Sequence, residues 1–501
     1  MDIVHNILYG FSIVLQPGSL LFCFLGVLIG TLIGVLPGIG PSATVAILLP
    51  VSIGMSAADA MILLAGIYYG SMYGGSTTSI LVNIPGESAS VVTCIDGYQM
   101  ARQGRAGVAL GMSAFGSFIG GTIGVLGLML LAPPLAEFAL QFGPPEYFAM
   151  ILCGFSILIY IGSGSRLKAL LIIFLGLFLG QIGNDLVTGE SRFTFGNLTL
   201  MDGVPLVPMV MGLFGIAEVL TNLESTFERI LFTTRVKNLL PNLADWKASL
   251  GPIGRGTILG FFLGLLPGGS ATLSSFASYA VEKRISKHPE QFGKGAIEGV
   301  AGPETANNAA TSSAFIPMLT LGIPANPVMA LVLAALLCHG LQPGPLLLTK
   351  SPDVFWAIIT SMYVGNVMLV VLNLPLIAIW VKLLKVPYAV LFPLILLFCL
   401  IGSYSTSSNY QEIMIMTIFG VIGYLMRKFE YDPVPLVFAF ILTPLLERAF
   451  RQSLAMSNGG FLIFLRPPIA LVLMITAFIL IALLVLPLIK KGLSKTDGLH
   501  G

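Results

Sequence analysis

One stretch of this chain occurs twice, and it limits the fold more than any other feature. The first copy reads Gly26-xxx-Gly30-xxx-Gly34, then Leu36-Pro37-Gly38, then Ser42-Ala43-Thr44. The second reads Gly256-xxx-Gly260-xxx-Gly264, then Leu266-Pro267-Gly268, then Ser270-Ala271-Thr272. Glycine ladder and Pro-Gly break keep one offset of 230 positions, and Ser-Ala-Thr slips by two. Each copy predicts an apolar helix with a smooth glycine face, interrupted inside hydrophobic sequence and restarted with small hydroxyl residues. Within lipid, unpaired backbone groups are costly, so such interruptions persist only where they are buried or line a cavity. Interrupted hydrophobic segments at matching positions of two halves point to a transporter's binding site.

Composition supports a membrane setting. Hydrophobic residues make up 56% of the 501 and charged residues 10%, against about 25% charged in soluble domains. Apolar runs long enough to span recur, most clearly at 106–132 and 467–489, since a crossing needs about 20 residues. The net charge of +2 says nothing about partners, and neither a polybasic tract nor a nucleic-acid motif is present. Cys23, Cys94, Cys153, Cys338 and Cys399 are scattered without a CxxC pair, so neither a disulfide framework nor a zinc site is indicated. Residues 1–16 lack a basic leader and do not read as a cleaved signal. Asp2, His5 and Asn6 among Ile, Leu and Phe suggest a short interfacial helix there.

The second half replays the first. Ile84-Pro85-Gly86 corresponds to Ile323-Pro324-Ala325, and Asp96-Gly97-Tyr98-Gln99 to His339-Gly340-Leu341-Gln342. Asp202-Gly-Val-Pro-Leu-Val207 returns 230 positions later as Asp432-Pro-Val-Pro-Leu-Val437. The expected organisation is an N-terminal interfacial segment at 1–18, a first transmembrane repeat at 19–222 and a polar amphipathic linker at 223–248. A second repeat at 249–452 follows, then a C-terminal transmembrane helix with a short basic tail at 453–501. Apolar segments are expected at 17–35, 43–54, 61–73, 106–132, 147–162, 167–184 and 204–221 of the first half. Gly116-xxx-Gly120-xxx-Gly124 marks a close-packing face in the fourth of these.

Basic residues gather in cytoplasmic loops, so their distribution orients the chain. Loop 163–168 has Arg166 and Lys168, and 222–255 is basic, whereas 133–146 has two glutamates and no base. Equivalent loops of the second half have the opposite character. The basic loop Lys283–Lys294 matches 51–60, which has none, and 403–412 has only Glu412. Arg448, Arg451 and Arg466 run against the pattern. The expected fold is therefore an all-α polytopic integral membrane protein of two inverted-topology repeats with broken or re-entrant helices, plus one extra C-terminal transmembrane helix. Its N-terminus is expected on the outer, periplasmic side of the membrane and its C-terminus on the cytoplasmic side. Inverted repeats meet near the midplane, and exchanging their conformations opens a site to either side. With hairpin-like breaks, that suggests elevator-like motion.

The break regions supply the candidate substrate and ion ligands. In the first copy these are Pro37, Gly38, Gly40, Ser42, Thr44, Ser76, Thr77, Thr78, Asn83, Pro85 and Gly86. In the second they are Pro267, Gly268, Gly269, Ser270, Thr272, Asn307, Asn308, Thr311, Ser312, Pro324 and Asn326. Residues 1–101 contain no Lys or Arg, so an anion there has no fixed cation to hold it. A helix restarting after Pro-Gly offers free N–H groups and a positive dipole end, which suit a carboxylate. Freed carbonyls and side-chain oxygens suit Na⁺. The reading is a small anionic substrate at helix N-termini with a coupling cation, Na⁺ or H⁺, beside it. No other metal and no cofactor are expected. Against it stand plainer readings: Pro-Gly as a packing kink, and serines and threonines that only bond their own helix. Glu298 and Glu304 are either rim charges or ionisable groups on the path. His339 is either a loop residue or a proton carrier. A membrane-embedded enzyme using Gly75-Ser76 with His339, or a channel-like pore, are the alternative functions.

Several of these motifs also carry a resemblance. Gly34-Val-Leu-Pro-Gly-Ile-Gly40, Gly66-Ile-Tyr-Tyr-Gly70, Gly75-Ser76 and Ile84-Pro-Gly86 are similar to the large membrane subunit of tripartite tricarboxylate transporters. So are Gly264-Leu-Leu-Pro-Gly268, Phe292-Gly-Lys-Gly-Ala-Ile-Glu-Gly299, Asn307-Asn-Ala309 and Gly340-Leu-Gln-Pro-Gly-Pro345. The resemblance implies a multi-pass symporter of the bacterial cytoplasmic membrane for citrate or related carboxylates. It also implies a periplasmic solute-binding protein and a small membrane subunit as partners, with a cation gradient as the driving force. No Walker A pattern is present, in keeping with that. One departure is Ala325, where the family more often has glycine. Alanine permits a turn there but disfavours a positive φ.

Overall fold

The computed structural model describes residues 3–36, 40–161, 165–185, 188–224, 238–268, 271–383 and 388–496. Helix α1 covers Ile3–Val14. Helices α2 (Pro17–Val35) and α3 (Pro41–Ile53) both open on proline, whose missing N–H is unpaired in a first turn anyway. Helix α4 (Ala57–Val82) starts at Ser56, whose hydroxyl accepts the Asp59 N–H, and stops at Asn83 in the left-handed conformation. A 3-10 turn, Ser88–Ser90, leads into α5 (Val91–Arg102), and α6 runs from Ala106 to Ala139. Then come α7 (Pro144–Ile161), α8 (Arg166–Leu179), paired two-residue strands β1 (Gly183–Asn184) and β2 (Ser191–Arg192), and α9 (Leu198–Met201). Helix α10 (Leu206–Val210) continues through a π-helical turn, Met211–Ile216, into α11 (Ala217–Glu224).

The second half opens with α12 (Leu243–Gly264), capped by Asn242 and Asp245, followed by α13 (Ala271–Ile285). Helices α14 (Glu298–Ser313), α15 (Phe315–Leu321), α16 (Pro327–Cys338), α17 (Pro345–Lys350) and α18 (Pro352–Asn373) follow. The chain ends with α19 (Ile377–Leu383), α20 (Tyr388–Ser407), α21 (Tyr410–Lys428), α22 (Val434–Met456) and α23 (Pro468–Thr496). Among the described residues four helical segments are long and apolar enough to cross a membrane: Pro17–Val35, Ser88–Ala139, Leu206–Glu224 and Pro352–Asn373. The all-α, multi-pass expectation holds. The two-residue β pair has no counterpart in the sequence reading.

The chain divides into two compact units, one of Met1–Glu137 with Leu206–Tyr424, the other of Phe138–Pro205 with Leu425–Gly501. Each unit therefore draws on both halves of the sequence.

In the first unit, both glycine ladders work as close-packing faces. Gly26, Gly30 and Gly34 of α2 lie against the α4 backbone at Leu63, Gly66, Ile67, Ser71 and Gly74. Gly66, Gly70 and Gly74 return the contact from α4. Gly256, Gly260 and Gly264 of α12 lie in the same way against Gly302, Ala306 and Ala310 of α14. A side chain at any of these rungs would hold the backbones apart, losing dispersion contacts along both helices. Gly116, Gly120 and Gly124 of α6 pack on α14 at Thr305, Ala309 and Ser312. The expected close-packing face is thus in use. Gly10 of α1 sits on the Trp356 carbonyl and the Thr360 side chain of α18.

Two local features bear on the break regions. Residues 74–79 do not interrupt α4, which is helical through Val82. Their hydroxyls fold back onto their own helix, Ser76 to the Met72 carbonyl at 3.3 Å and Thr78 to the Gly75 carbonyl at 3.0 Å, so the backbone need not open. The positive φ falls not at Gly86 or Ala325 but at Asn83 (57°) and Gly322 (72°), three residues earlier. Gly86 is needed for space: a Cβ there would collide with the Gly34 carbonyl and come within 2.7 Å of the Gly75 Cα.

The second unit is held on one side by a charge cluster. Arg192 pairs with Asp185 and with Glu447 at 2.9 Å, and Arg451 reaches Asp185 at 3.0 Å and Glu447 at 2.7 Å. The Glu447 and Asp185 carboxylates together hold the Arg192 guanidinium above its ordinary range. Arg451, which runs against the charge pattern, is thus neutralised locally.

Candidate functional site

The middle of α4 and all of α14 beyond Glu298 are buried, although both are rich in polar side chains. Ser76, Thr77 and Thr78 are at most 2% exposed, as are Glu304, Asn307, Asn308 and Thr311. Burying such groups costs free energy unless each is hydrogen-bonded. Here they bond one another across the two halves of the chain. Ser76 Oγ donates to Glu304 Oε2 at 2.6 Å, Thr93 donates to Glu304 Oε1, and Asn307 Nδ2 donates to Oε2 at 3.3 Å. Asn308 donates to Ser117 Oγ of α6 at 2.8 Å, and Ser312 to the Gly121 carbonyl at 3.2 Å. Farther along, Tyr73 donates to Asn366 Oδ1 at 3.0 Å, and Asn366 Nδ2 donates to Thr122 Oγ1 at 3.2 Å.

Interrupted segments border this polar layer. Asn326 Oδ1 caps α16 by accepting the Met329 N–H at 3.0 Å, while its Nδ2 donates to the Tyr68 hydroxyl at 2.8 Å. In the matching position of the first half, Glu87 caps the 3-10 turn by accepting the Ala89 N–H at 2.5 Å. Ser88 and Thr272 share a hydroxyl–hydroxyl bond of 2.8 Å. The Gly268 N–H donates to the Ala325 carbonyl at 2.9 Å, with Gly268 at φ 78°. The Pro-Gly break of the second half is therefore stitched to the Ile-Pro loop of the same half.

The sequence candidates fall into three groups. Ser76, Thr77, Thr78, Asn307, Asn308, Thr311 and Ser312 form the buried layer. Gly86, Gly268, Thr272, Pro324 and Asn326 lie in the loops and caps beside it, with Pro267 next to Gly268, while Pro85 is half-buried and Asn83 lies at the α4 end. Gly40 begins α3 with no side-chain cap, Ser42 is half-buried in its first turn, and Thr44 bonds back to the Gly40 carbonyl at 3.2 Å. Pro37, Gly38, Gly269 and Ser270 lie outside the described residues.

Glu304 is no rim charge: it is fully buried at the centre of the layer. Glu298 is half-buried at the start of α14. His339 terminates α16, and the Ser76 hydroxyl is engaged with Glu304 and its own helix, not with a histidine. Sequence reasoning misses Glu87, Thr93, Ser113, Ser117 and Asn366, because a lone polar residue in a helix carries no signal of what it faces. No lysine, arginine or histidine is among the buried side chains of the described residues. The layer can thus offer hydrogen-bond donors, oxygen ligands and carboxylates, but no fixed positive charge.

Known proteins are similar to this chain. The tripartite tricarboxylate transporter TctA family matches residues 20–438. A 52.8 kDa protein in the TAR-I ttuC' 3' region of Agrobacterium vitis is 50% identical over 495 residues, covering 99% of both chains. A second protein of Agrobacterium vitis, in the TAR-II ttuC' 3' region, is 49% identical over 238 residues, 48% of this chain and 97% of its own length. No solved structure matches.

Proposed function

The chain belongs to the tripartite tricarboxylate transporter TctA family, a family of transporter components and not of enzymes, and from that premise we propose a specific task for it. It is the permease subunit that imports a small carboxylate, a tricarboxylate such as citrate or a related di- or monocarboxylate, across the bacterial cytoplasmic membrane by cation symport. A periplasmic solute-binding protein delivers the substrate, and a small membrane subunit completes the transporter.

The observation that carries this reading is the buried polar layer between α4 and α14, built from both halves of the chain inside an apolar bundle. At its centre lies Glu304, an ionisable side chain buried without a basic partner among the described residues, and such a group inside an apolar bundle marks a substrate or ion path. A carboxylate would be held by Ser, Thr and Asn donors and by the uncapped N-terminus of α3, where the first-turn N–H groups and the dipole favour negative charge. With no buried lysine or arginine among the described residues to neutralise it, the substrate's charge calls for an accompanying cation. Inverted repeats with elevator-like motion would deliver the site to either side.

Uptake into proteoliposomes with the binding protein and the small subunit tests the reading. Concentrative uptake of a di- or tricarboxylate under a Na⁺ or proton gradient is expected. Absence of uptake for every such carboxylate, or flux that never exceeds equilibration, would overturn it. A distance between α4 and α6 that stays fixed by cross-linking in both orientations would sink the elevator motion.

A further inference from the structure

Most buried acids of the described chain have an evident structural partner. Asp245 pairs with Arg105 at 2.5 Å and Glu282 with Arg255 at 2.6 Å, while Asp185 joins Arg192 and Arg451. Asp96 receives three backbone N–H groups and the Tyr279 hydroxyl. Glu87 and Glu304 differ. Among the described residues neither pairs with a base, and both reach adjacent positions of α4, Glu87 Oε1 beside Gly75 and Glu304 at the Ser76 hydroxyl.

Their hydrogen bonding is unequal. Glu304 accepts from Ser76, Thr93 and Asn307, and the Ser113 hydroxyl also interacts with it. Glu87 uses Oε2 for the Ala89 N–H, but its Oε1 is buried without any partner. That orphan oxygen is aimed at α4 beside Gly75, where an added Cβ would lie 3.1 Å from it. Gly75 precedes Ser76, whose hydroxyl holds Glu304. An unpartnered carboxylate oxygen in a site more than nine-tenths buried costs free energy that something must offset.

The other half of the chain provides an internal comparison. Glu304 lies two residues after Gly302 of the α14 packing face, as Tyr68 lies two residues after Gly66 of the α4 face. Glu87 directly follows Ile84-Pro85-Gly86, as Asn326 follows Ile323-Pro324-Ala325. The matching pair, Asn326 with Tyr68, is neutral and directly bonded at 2.8 Å. The same construction carries two carboxylates on one side and none on the other.

We propose that Glu87 and Glu304 together bind one monovalent cation, a proton or a sodium ion, at the tip of the first-half break. In a dry site two neighbouring carboxylates cannot both remain charged without a compensating cation. The titratable groups that feel the pair are Tyr68 and Tyr73 on α4 and Cys94 on α5. Helix α2 contributes only Cys23, which is bonded at Tyr69 and the Ser361 carbonyl. The charges of α13 are Glu282, Lys283 and Arg284, all near its C-terminal end. Among the described residues no base pairs with either carboxylate. That the bound cation is also the one that drives transport rests on the symporter reading above.

The test separates the two claims. Melting temperature of the purified protein in detergent is followed against NaCl with choline chloride as control, and against pH in sodium-free buffer. A cation bound to the folded state raises the melting temperature as its concentration rises. The wild type should respond to sodium or to protons, which identifies the ion. Glu87→Gln and Glu304→Gln should each weaken that response by about tenfold in apparent affinity or more, and Glu290→Gln, at an exposed position, should leave it unchanged. Glu87→Gln keeps a side-chain oxygen that can accept the Ala89 N–H and loses only the ionisable group, so it remains informative if Glu304→Gln does not fold. A wild type that responds to neither ion, or a Glu87→Gln protein that responds like the wild type, would overturn the site. Cation binding that depends on the pair in a protein that transports no carboxylate would leave the site standing and defeat the symporter reading.

Discussion

Asn326 donates its side-chain amide to the Tyr68 hydroxyl at 2.8 Å, joining the cap of α16 in the second half to the middle of α4 in the first. The same side chain accepts the Met329 N–H, so one residue ends the break and fixes where its tip rests. Asn326→Ala should therefore lower thermal stability by about 1–2 kcal/mol. Tyr68→Phe should cost less, since it removes only one of the two bonds. A double-mutant cycle on melting should show coupling between the two positions. Strict additivity would mean the contact contributes nothing.

Asp96 links the halves in another way. Its Oδ1 accepts the N–H groups of Gly293, Gly295 and Ala296 at 2.7–2.9 Å, and Oδ2 accepts the Tyr279 hydroxyl at 2.8 Å. Asp96→Ala would leave these donors unsatisfied, at a cost of about 3 kcal/mol. Limited proteolysis should then cut within 286–297 of the variant well before it cuts the wild type there. An unchanged cleavage pattern would count against the role.

The glycine faces predict opposite outcomes for one substitution. At Gly260 a Cβ would collide with the Ala306 carbonyl, so Gly260→Ala should destabilise by about 1–3 kcal/mol. On the same helix, a Cβ added at Gly254 would meet nothing within 4 Å. Gly254→Ala should be neutral or stabilise by up to about 1 kcal/mol through helix propensity. Equal melting temperatures for the two variants would refute the packing account.

In the second unit, Arg192→Ala would leave Asp185, which is 8% exposed, with Arg451 as its remaining basic partner in the cluster. Losing one member of a partly exposed ion network that keeps a second arginine costs about 1–2 kcal/mol. The loss should persist at high salt, because short buried pairs are screened little. A defect that vanished on adding salt would place the cluster's contribution at the surface instead.

Much of the fold is legible in the sequence. The span Pro17–Val35 can be read at both ends, because Pro17 opens it and the Pro-Gly pair closes it. The hydroxyl run of α4 can be located, but not that its hydroxyls bond back to their own helix or reach Glu304, since serine and threonine allow either. Ser76, Asn307 and Asn308 stand out as candidates because they sit next to duplicated motifs. Thr93 and Ser117 do not, because nothing in their own segments marks them.

By itself the sequence determined that the chain is helical, apolar and duplicated, and that its two glycine ladders are close-packing faces. Those properties are local: helix starts, periodicity and the absence of Cβ atoms act within a few residues. Only the tertiary structure decided which backbone each ladder meets and that Glu304 is buried rather than at the rim. It alone placed Glu87, with one oxygen unpaired, in that neighbourhood. Burial and pairing of a charge depend on groups more than two hundred positions away, such as Ser76 for Glu304, and no local pattern reports them.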